Sequence, residues 1–369
     1  MNSALPKGLQ TWLADHGWTA LHSAQLTGGF SASLFALRAR SQSGAERNLI
    51  YKQFAPGRAD ELHVYSQLLP KLNGYAPDAL ALIHTPGEQG ILMDHAGATV
   101  KSVLLMKDRA GRQAILTAAI TWLADLHVHF AEHSQSWLHA GIIGLYPFQS
   151  SLAYAQEALQ ALTWLAESQP MQGGRFIRRG VRLTSSAEPT ETEPTGTRTP
   201  CAELPGGQAA PLRSGSVVDA SILSEISAMM EWFYPRYPGF MAGRTTITHG
   251  DPHLENLLFQ HDHFCLIDWE YTAVAVPSRD FAILLQDVLD DDMRHSLRTT
   301  YWDRLRQNGW RVDEDAFETT YQACLFDNTL MMLGWEVSKF RNGHLNQPEL
   351  EVIVATKLRW LRECFRRLL

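Results

Sequence analysis

The chain has 369 residues, 45% of them hydrophobic and 19% charged, with a formal net charge of −7. Such a length and composition suit a globular protein of two domains or lobes with ample core. An acidic chain without an extended Lys/Arg stripe argues against a nucleic-acid partner, and four cysteines without paired spacing (Cys201, Cys265, Cys324, Cys364) argue against a disulfide frame or metal knuckle.

The N-terminal stretch MNSALPKGLQTWLADHGW has neither a long apolar core nor a small-residue cleavage site, so it does not read as a signal peptide. No apolar run reaches the roughly 18 residues that would mark a membrane span, which makes a cytoplasmic protein with no membrane partner the expectation. The segment LTGGFSASLFALRAR (26–40) reads as a glycine turn between two strand-like runs. Gly28 and Gly29 allow close backbone approach, and Ser31 and Ser33 add hydroxyls, so phosphate contact and a plain hairpin turn are both open. RNLIYKQF (47–54) reads as a strand with Lys52 among apolar neighbours. DELHVYSQLLPKL (60–72) sets Leu62, Tyr65, Leu68, Leu69 and Leu72 at helical spacing. Glu61 stands at the start of that helix, where a carboxylate also favours the helix dipole.

GILMDHAG (90–97) reads as a buried strand running into a turn. RQAILTAAITWLADLHVHF (112–130) then forms a helix with Ile115, Leu116, Ala119, Trp122, Leu123 and Leu126 on one face, and His127 and His129 read as structural. Residues 172–216 break the pattern: five of the chain's 17 prolines fall there, and apolar periodicity almost vanishes. This composition predicts a disordered or loop insertion, a passive linker in preference to a substrate lid.

The densest chemistry lies in THGDPHLENLLFQHDHFCLIDWE (248–270). His249 and His253 invite a zinc reading, but Pro252 sits between them and no CxxC or HExxH frame exists. Leu257 to Phe259, a polar turn at His261–Asp262 and Phe264 to Ile267 predict a hairpin, with the histidines on the loop before it. His249-x-Asp251 followed by Asn256 has the interval of the kinase catalytic loop, H-R-D-x-x-x-x-N, and Asp268 ends the returning strand. Phosphoryl transfer needs a carboxylate to orient an attacking hydroxyl and accept its proton. It also needs hard oxygen ligands for magnesium on the nucleotide phosphates. Asp251 suits the first role, and Asn256 with Asp268 the second.

HGDPHLENLLF followed by LIDWE, together with WLADLH at 122–127, resembles the aminoglycoside phosphotransferase and choline kinase-like family, small-molecule kinases with a protein-kinase-like fold. The resemblance covers most of the chain outside 172–216. It implies an α+β, two-lobed protein-kinase-like fold: a small N-terminal nucleotide-binding lobe at 1–93, a mixed sheet with one helix, and a larger helical C-terminal lobe at 94–369 carrying the catalytic loop. Residues 172–216 would be an insertion within that second lobe.

The resemblance also implies the remaining roles. Gly28, Gly29 and Ser31 would approach the phosphates, Lys52 would reach the α/β-phosphates, and Glu61 would pair with Lys52. Backbone groups of Met93, Asp94 and His95 would meet the adenine. His249 would scaffold the loop and Asp280 would brace it, with Ser278 as a helix cap ahead of it; the family's usual glycine before that aspartate is missing from YTAVAVPSRD. The implied cofactors are ATP or GTP with Mg2+, and the implied partner is a small hydroxylated acceptor, aminoglycoside-like or an amino-alcohol, bound by a monomer or homodimer. Trp302, Tyr321, Asp327, Trp335 and Glu336 are candidates for the acceptor pocket, with Trp302 and Trp335 as a cation cage and Asp290, Asp291 and Asp292 as a negative field. A nucleotide-binding pseudokinase and a metal-dependent hydrolase are the competing readings. The pseudokinase is disfavoured because Lys52, Asp251, Asn256 and Asp268 are all present.

Overall fold

The computed structural model describes residues 4–26, 32–55, 60–72, 74–168 and 217–369. The glycine turn with Gly28, Gly29 and Ser31, the side chain of Glu61 and the 172–216 segment lie outside the described residues. The chain opens with α1 (Lys7–Asp15), β1 (Trp18–Leu26), β2 (Ala32–Ser41), β3 (Glu46–Phe54), α2 (Asp60–Gln67), β4 (Ala79–Thr85) and β5 (Glu88–Asp94). The five strands form one sheet in the order β1-β2-β3-β5-β4, antiparallel at every ladder. The expectation of a mixed sheet is corrected here. The short connections β1–β2, β2–β3 and β4–β5 close only antiparallel pairs, and β5 returns from β4 to lie antiparallel against β3. A second helix, α1, also joins the one expected.

The strand pleat decides where Lys52 points. Side chains alternate across a strand, and Leu49 and Tyr51 pack with Leu9 and Leu13 of α1 in a small core on one face. Phe54 faces the other way and joins Ile91 and Met93 in the main core. Lys52 shares the register of Phe54, so β3 aims its ammonium at the rest of the molecule rather than at α1.

Beyond β5 the chain is mainly helical. It runs through β6 (Ala98–Thr99), α3 (Val100–Leu105), α4 (Arg109–His139), α5 (Phe148–Ser168), α6 (Ala220–Phe233), α7 (Tyr237–Phe240) and β7 (Thr246–Thr248). It continues with β8 (Leu257–Gln260), β9 (His263–Leu266), β10 (Ala273–Ala275), α8 (Ser278–Leu284), α9 (Asp291–Gln307), α10 (Glu314–Arg341) and α11 (Gln347–Leu368). Asp108, Asp219, Asp290, Asp313 and Asn346 each accept a first-turn backbone N–H and so start their helices. α4 is long and apolar enough to cross a membrane by length and composition alone. It nonetheless lies in the core, with Leu116, Ile120, Leu123, Leu126 and Phe130 buried.

The acidic run after α8 is consumed locally. Asp290 caps α9 and pairs with Arg109 at 2.9 Å, and Asp291 pairs with Arg359 at 2.9 Å. A helix start and these ion pairs account for Asp290 and Asp291.

Helices α5 and α10 approach most tightly at Gly334, where an added Cβ would lie 2.7 Å from the Ala158 Cα. Both partners there are helix backbone, so the contact cannot be relieved by a side-chain rotation. Gly334→Val should therefore lower the unfolding free energy by about 2 kcal/mol through overpacking. Denaturant unfolding measures this, and an unchanged midpoint would show that the two helices separate without penalty.

Candidate active site

The β8–β9 hairpin forms as the sequence pattern predicts. Gln260 stands opposite His263, and the two turn residues His261 and Asp262 both have positive φ, 48° and 62°. A two-residue turn with both centres left-handed matches the twist of the strands it joins. The hairpin brings Asn256, just before β8, beside Asp268, just after β9. The link between them is the Ile267 N–H, which donates to the Asn256 carbonyl at 3.0 Å.

Backbone contact also shapes the loop ahead of the hairpin. Gly250 has φ 93°, and a Cβ there would lie 2.2 Å from the Tyr271 carbonyl oxygen. Only glycine fits, which accounts for the departure from an H-R-D loop. His249 is fully buried. Its Nε2–H donates to the Ile267 carbonyl at 2.7 Å, while Nδ1 accepts the Asp251 N–H at 3.2 Å, so one neutral tautomer satisfies both bonds. Burial lowers its pKa to about 4. Its ring also meets Trp269 edge-on at 4.6 Å. Both ring nitrogens are engaged, and the residue is a scaffold.

Asp280 holds this loop from below. Its Oδ2 accepts the His249 N–H at 2.6 Å and its Oδ1 accepts the Gly250 N–H at 2.9 Å. His127 Nε2 donates to Oδ2 at 3.2 Å, and His127 Nδ1 lies 2.6 Å from the Tyr301 hydroxyl. Burial alone would raise the Asp280 pKa, but the His127 hydrogen bond and the nearby positive charges hold it below the usual carboxylate value. Ser278 was expected to cap α8. The structure instead puts Pro277 at the cap position with φ −63° and no side-chain hydrogen bond, and Ser278 is already inside the helix. Proline's fixed φ sets the helix start there.

Asp251 emerges on the open side of the loop. Asn256 Nδ2 donates to the Asp251 carbonyl at 3.0 Å and to its Oδ2 at 3.2 Å, and His253 Nε2 lies 3.5 Å from the same oxygen. The amide donor is thus spent on Asp251, which presents the other amide atom, Oδ1, as an oxygen ligand. Burial raises the Asp251 pKa above the usual carboxylate value, against the charge of His253. Asp268 adopts a left-handed backbone, φ 64° and ψ 55°. Its N–H donates to the Tyr65 hydroxyl at 3.3 Å, and its Oδ1 accepts from Lys52 Nζ at 2.7 Å. The lysine side chain is 8% exposed and the aspartate 38%, so a buried ammonium supports a carboxylate that opens to solvent.

Among the described residues no three His, Cys, Asp or Glu side chains converge as a metal nest. A divalent ion here could rest on Asn256 Oδ1 and the Asp268 carboxylate, completing its shell with phosphate and water oxygens. Few protein ligands, all hard oxygens, fit magnesium.

Other candidates fall differently. At the β5 end, Met93 is buried. The N–H groups of Asp94 and His95 already donate to the carbonyls of Asp78 at 3.0 Å and Asn48 at 2.9 Å. Those two donors are therefore already spent within the protein. Trp302 is buried and stacks on Phe317 at 4.5 Å. Trp335 is half exposed and stands ~27 Å further along α10 than Phe317, at 1.5 Å per residue. The proposed pair of indoles cannot form one cage. Tyr321 is core, Asp327 is buried among hydroxyls, and Glu336 is buried beside Lys339 at 3.4 Å. Sequence reasoning missed Tyr65, hidden in an apolar helical stripe, and Asp287, whose Oδ2 accepts the Leu254 N–H at 2.8 Å. No motif marks either residue.

The model of the phosphotransferase enzyme family matches residues 23–315. No curated protein is significantly similar in sequence. Among solved structures, the gentamicin complex of APH(2″)-IIa is similar with TM-score 0.54 and 11% identity, over 98% of this chain and 99% of that one. A choline/ethanolamine kinase family protein from Mesorhizobium loti gives 0.52 and 13%, over 94% and 92%. The amicoumacin kinase hAmiN, bound to AMP-PNP, Ca2+ and Ami, gives 0.52 and 10%, over 97% and 94%. At these identities the likeness is one of fold.

The His249 ring makes stability depend on pH. Its folded pKa of about 4 lies below the ordinary 6.5, so the unfolded chain takes up the proton first. The stabilisation is complete above pH 6.5 and is lost as pH falls toward 4. The difference is worth roughly 3 kcal/mol at 1.36 kcal/mol per pH unit. Urea unfolding between pH 7 and 4 should show a fall of that order, and His249→Gln should remove this share of it; an unaltered pH profile in the variant would contradict the neutral-scaffold assignment.

Proposed function

The chain belongs to the phosphotransferase enzyme family, and on that premise we propose that it moves the γ-phosphate of ATP, or GTP, to a hydroxyl of a small polar molecule. The acceptor is aminoglycoside-like or an amino-alcohol, in keeping with what the gentamicin-bound and choline/ethanolamine kinase family structures are named for. ATP is the favoured donor because a kinase of this fold was solved with AMP-PNP. The lobes divide at 93/94, and the enzyme works in the cytoplasm as a monomer or homodimer with no nucleic-acid or membrane partner.

One observation carries the reading. Lys52 of β3 is ion-paired with Asp268, 216 positions away, Asn256 is hydrogen-bonded to Asp251, and the Ile267 N–H on the Asn256 carbonyl holds the two pairs on one hairpin. Asp251 accepts a hydrogen bond from the acceptor hydroxyl and takes its proton. As it does so, the bond from that oxygen to the γ-phosphorus forms and the bond from the γ-phosphorus to the bridging oxygen breaks, releasing the nucleoside diphosphate. Its raised pKa brings proton affinity closer to that task than an ordinary carboxylate. Asn256 fixes the rotamer of Asp251 through Nδ2, and its Oδ1 would be one oxygen ligand of a bound magnesium. Asp268 supplies the second metal ligand, and Lys52 holds that carboxylate while keeping its ammonium at the place of the α/β-phosphates. Magnesium, when bound, supplies the positive charge that offsets the charge spread over the transferring phosphoryl group. Asp280 and His249 keep the loop in register, so the groups are positioned before substrate arrives.

Asp251→Ala and Asp268→Ala should each lower kcat by about 10²–10⁴-fold, whereas only Asp268→Ala should strongly weaken magnesium-dependent nucleotide binding. A nucleotide-consumption screen against aminoglycosides, choline, ethanolamine, homoserine and simple sugars supplies the acceptor for these assays. Near-normal turnover by Asp251→Ala would remove the assignment. Turnover with neutral sugars alone would overturn the preference for a cationic acceptor.

A further inference from the structure

Arg279 is the second residue of α8, and its neighbour Asp280 grips the backbone of His249 and Gly250. Its side chain therefore starts next to the catalytic loop. It is 9% exposed, and its guanidinium carbon lies 3.8 Å over the Tyr146 ring, which fixes the plane of the fork. Nη1 is buried and has no hydrogen-bond partner. The guanidinium is hydrogen-bonded to the Tyr146 hydroxyl, and Asp280 favours its charge against the desolvation of burial, so what the fold leaves open is the one donor, Nη1.

The nearby carboxylates do not relieve it. Asp327 accepts from Ser151 at 2.8 Å, Tyr234 at 2.8 Å and Tyr237 at 3.4 Å. Asp280 is taken by two backbone N–H groups and His127. Asp251 is engaged by Asn256 and is partly exposed. Arg294 is a control within the same fold. It too is buried and stacks on an aromatic ring, Trp360 at 3.6 Å, yet its Nη1 donates to the Leu285 carbonyl at 2.8 Å. The fold gives one buried arginine a carbonyl and leaves the other with an unpartnered Nη1. The Arg279 charge is also close enough to Asp251 to favour its ionised form.

We propose that Arg279 is a specificity residue that binds an acidic group, a carboxylate or phosphate, carried by the acceptor in addition to its hydroxyl. A planar fork of N–H donors matches such an oxygen pair in two parallel bonds, which a lysine cannot do. The proposal rests on the small-molecule kinase reading and narrows it. The acceptor's hydroxyl sits at Asp251 and its acid at Arg279, so an amino-alcohol acceptor is one that also bears an acid.

Matched pairs of probes test this by calorimetric binding in magnesium and a non-hydrolysable ATP analogue: homoserine against 3-aminopropan-1-ol, and glycerate against glycerol. The acid of at least one pair should bind tenfold tighter or more than its acid-free match. Arg279→Met should bring that ratio to about one, and Arg279→Lys should keep only part of it. Arg279→Met should also melt no lower than the parent, since it removes a buried charge without a full set of partners. Equal binding within both pairs overturns the proposal, and so does a ratio that survives Arg279→Met. Phosphoryl transfer to the same probes separates the two readings. An acid preference without transfer keeps the Arg279 assignment and removes the kinase reading, whereas transfer with no acid preference does the reverse.

Discussion

The buried carboxylate of Asp280 is the constraint on which the site depends. A fully buried charge is tolerable only when several donors meet it. Here two of the three are the backbone N–H groups of His249 and Gly250, and the third is His127 of α4. The carboxylate cannot be satisfied unless the loop takes its observed course. The loop in turn cannot take it without glycine at 250, where the Tyr271 carbonyl leaves no room for a Cβ. Through His127 and Tyr301 the same contact reaches α4 and α9, so the packing of three helices is expressed as the position of one loop. Asp251 inherits its place from this arrangement.

A second polar contact carries the N-terminal sheet into the site. Lys52 and Asp268 are 216 positions apart in sequence and 2.7 Å apart in space. The pleat of β3 aims the lysine, and the left-handed backbone at Asp268 turns its carboxylate back toward it. Tyr65 of α2 accepts the Asp268 N–H, which adds a contact from the N-terminal helix to the same residue. The partly exposed carboxylate gains its orientation from groups that are themselves buried.

What the sequence disclosed follows from the range over which each feature is encoded. The hairpin at 257–266 and the Asp251–Asn256 interval were readable because fixed spacing over a few residues determines them, whereas the support role of Asp280 was implied by the family resemblance alone. The antiparallel sheet was not, since side-chain alternation does not specify the direction of the neighbouring strand. Ser278 looked like a cap because serine caps many helices, but Pro277 had already set the helical φ. Trp302 and Trp335 looked like partners only while their separation along α9 and α10 was unknown. Tyr65, Asp287 and Arg279 carry no local signal, and their roles depend on which elements the fold brings alongside them.

The acidic residues of the C-terminal region divide by how many donors each has taken up. Asp280 and Asp327 are buried and each meets three, so neither has an oxygen to offer a substrate. Asp251 and Asp268 are partly exposed, and each is held by one strong side-chain donor, Asn256 Nδ2 and Lys52 Nζ respectively. One donor fixes a rotamer and still leaves lone pairs for a hydroxyl proton or a cation. Arg279 is the counterpart on the donor side: it is fixed by Tyr146 and keeps an N–H unspent. Trp302 Nε1 and Glu318 Oε2 are also buried without a hydrogen-bond partner, so incomplete satisfaction alone does not single out an atom. Asp251, Asp268 and Arg279 are set apart because they also lie on or adjoin the hairpin and helix that frame the loop Asp280 holds.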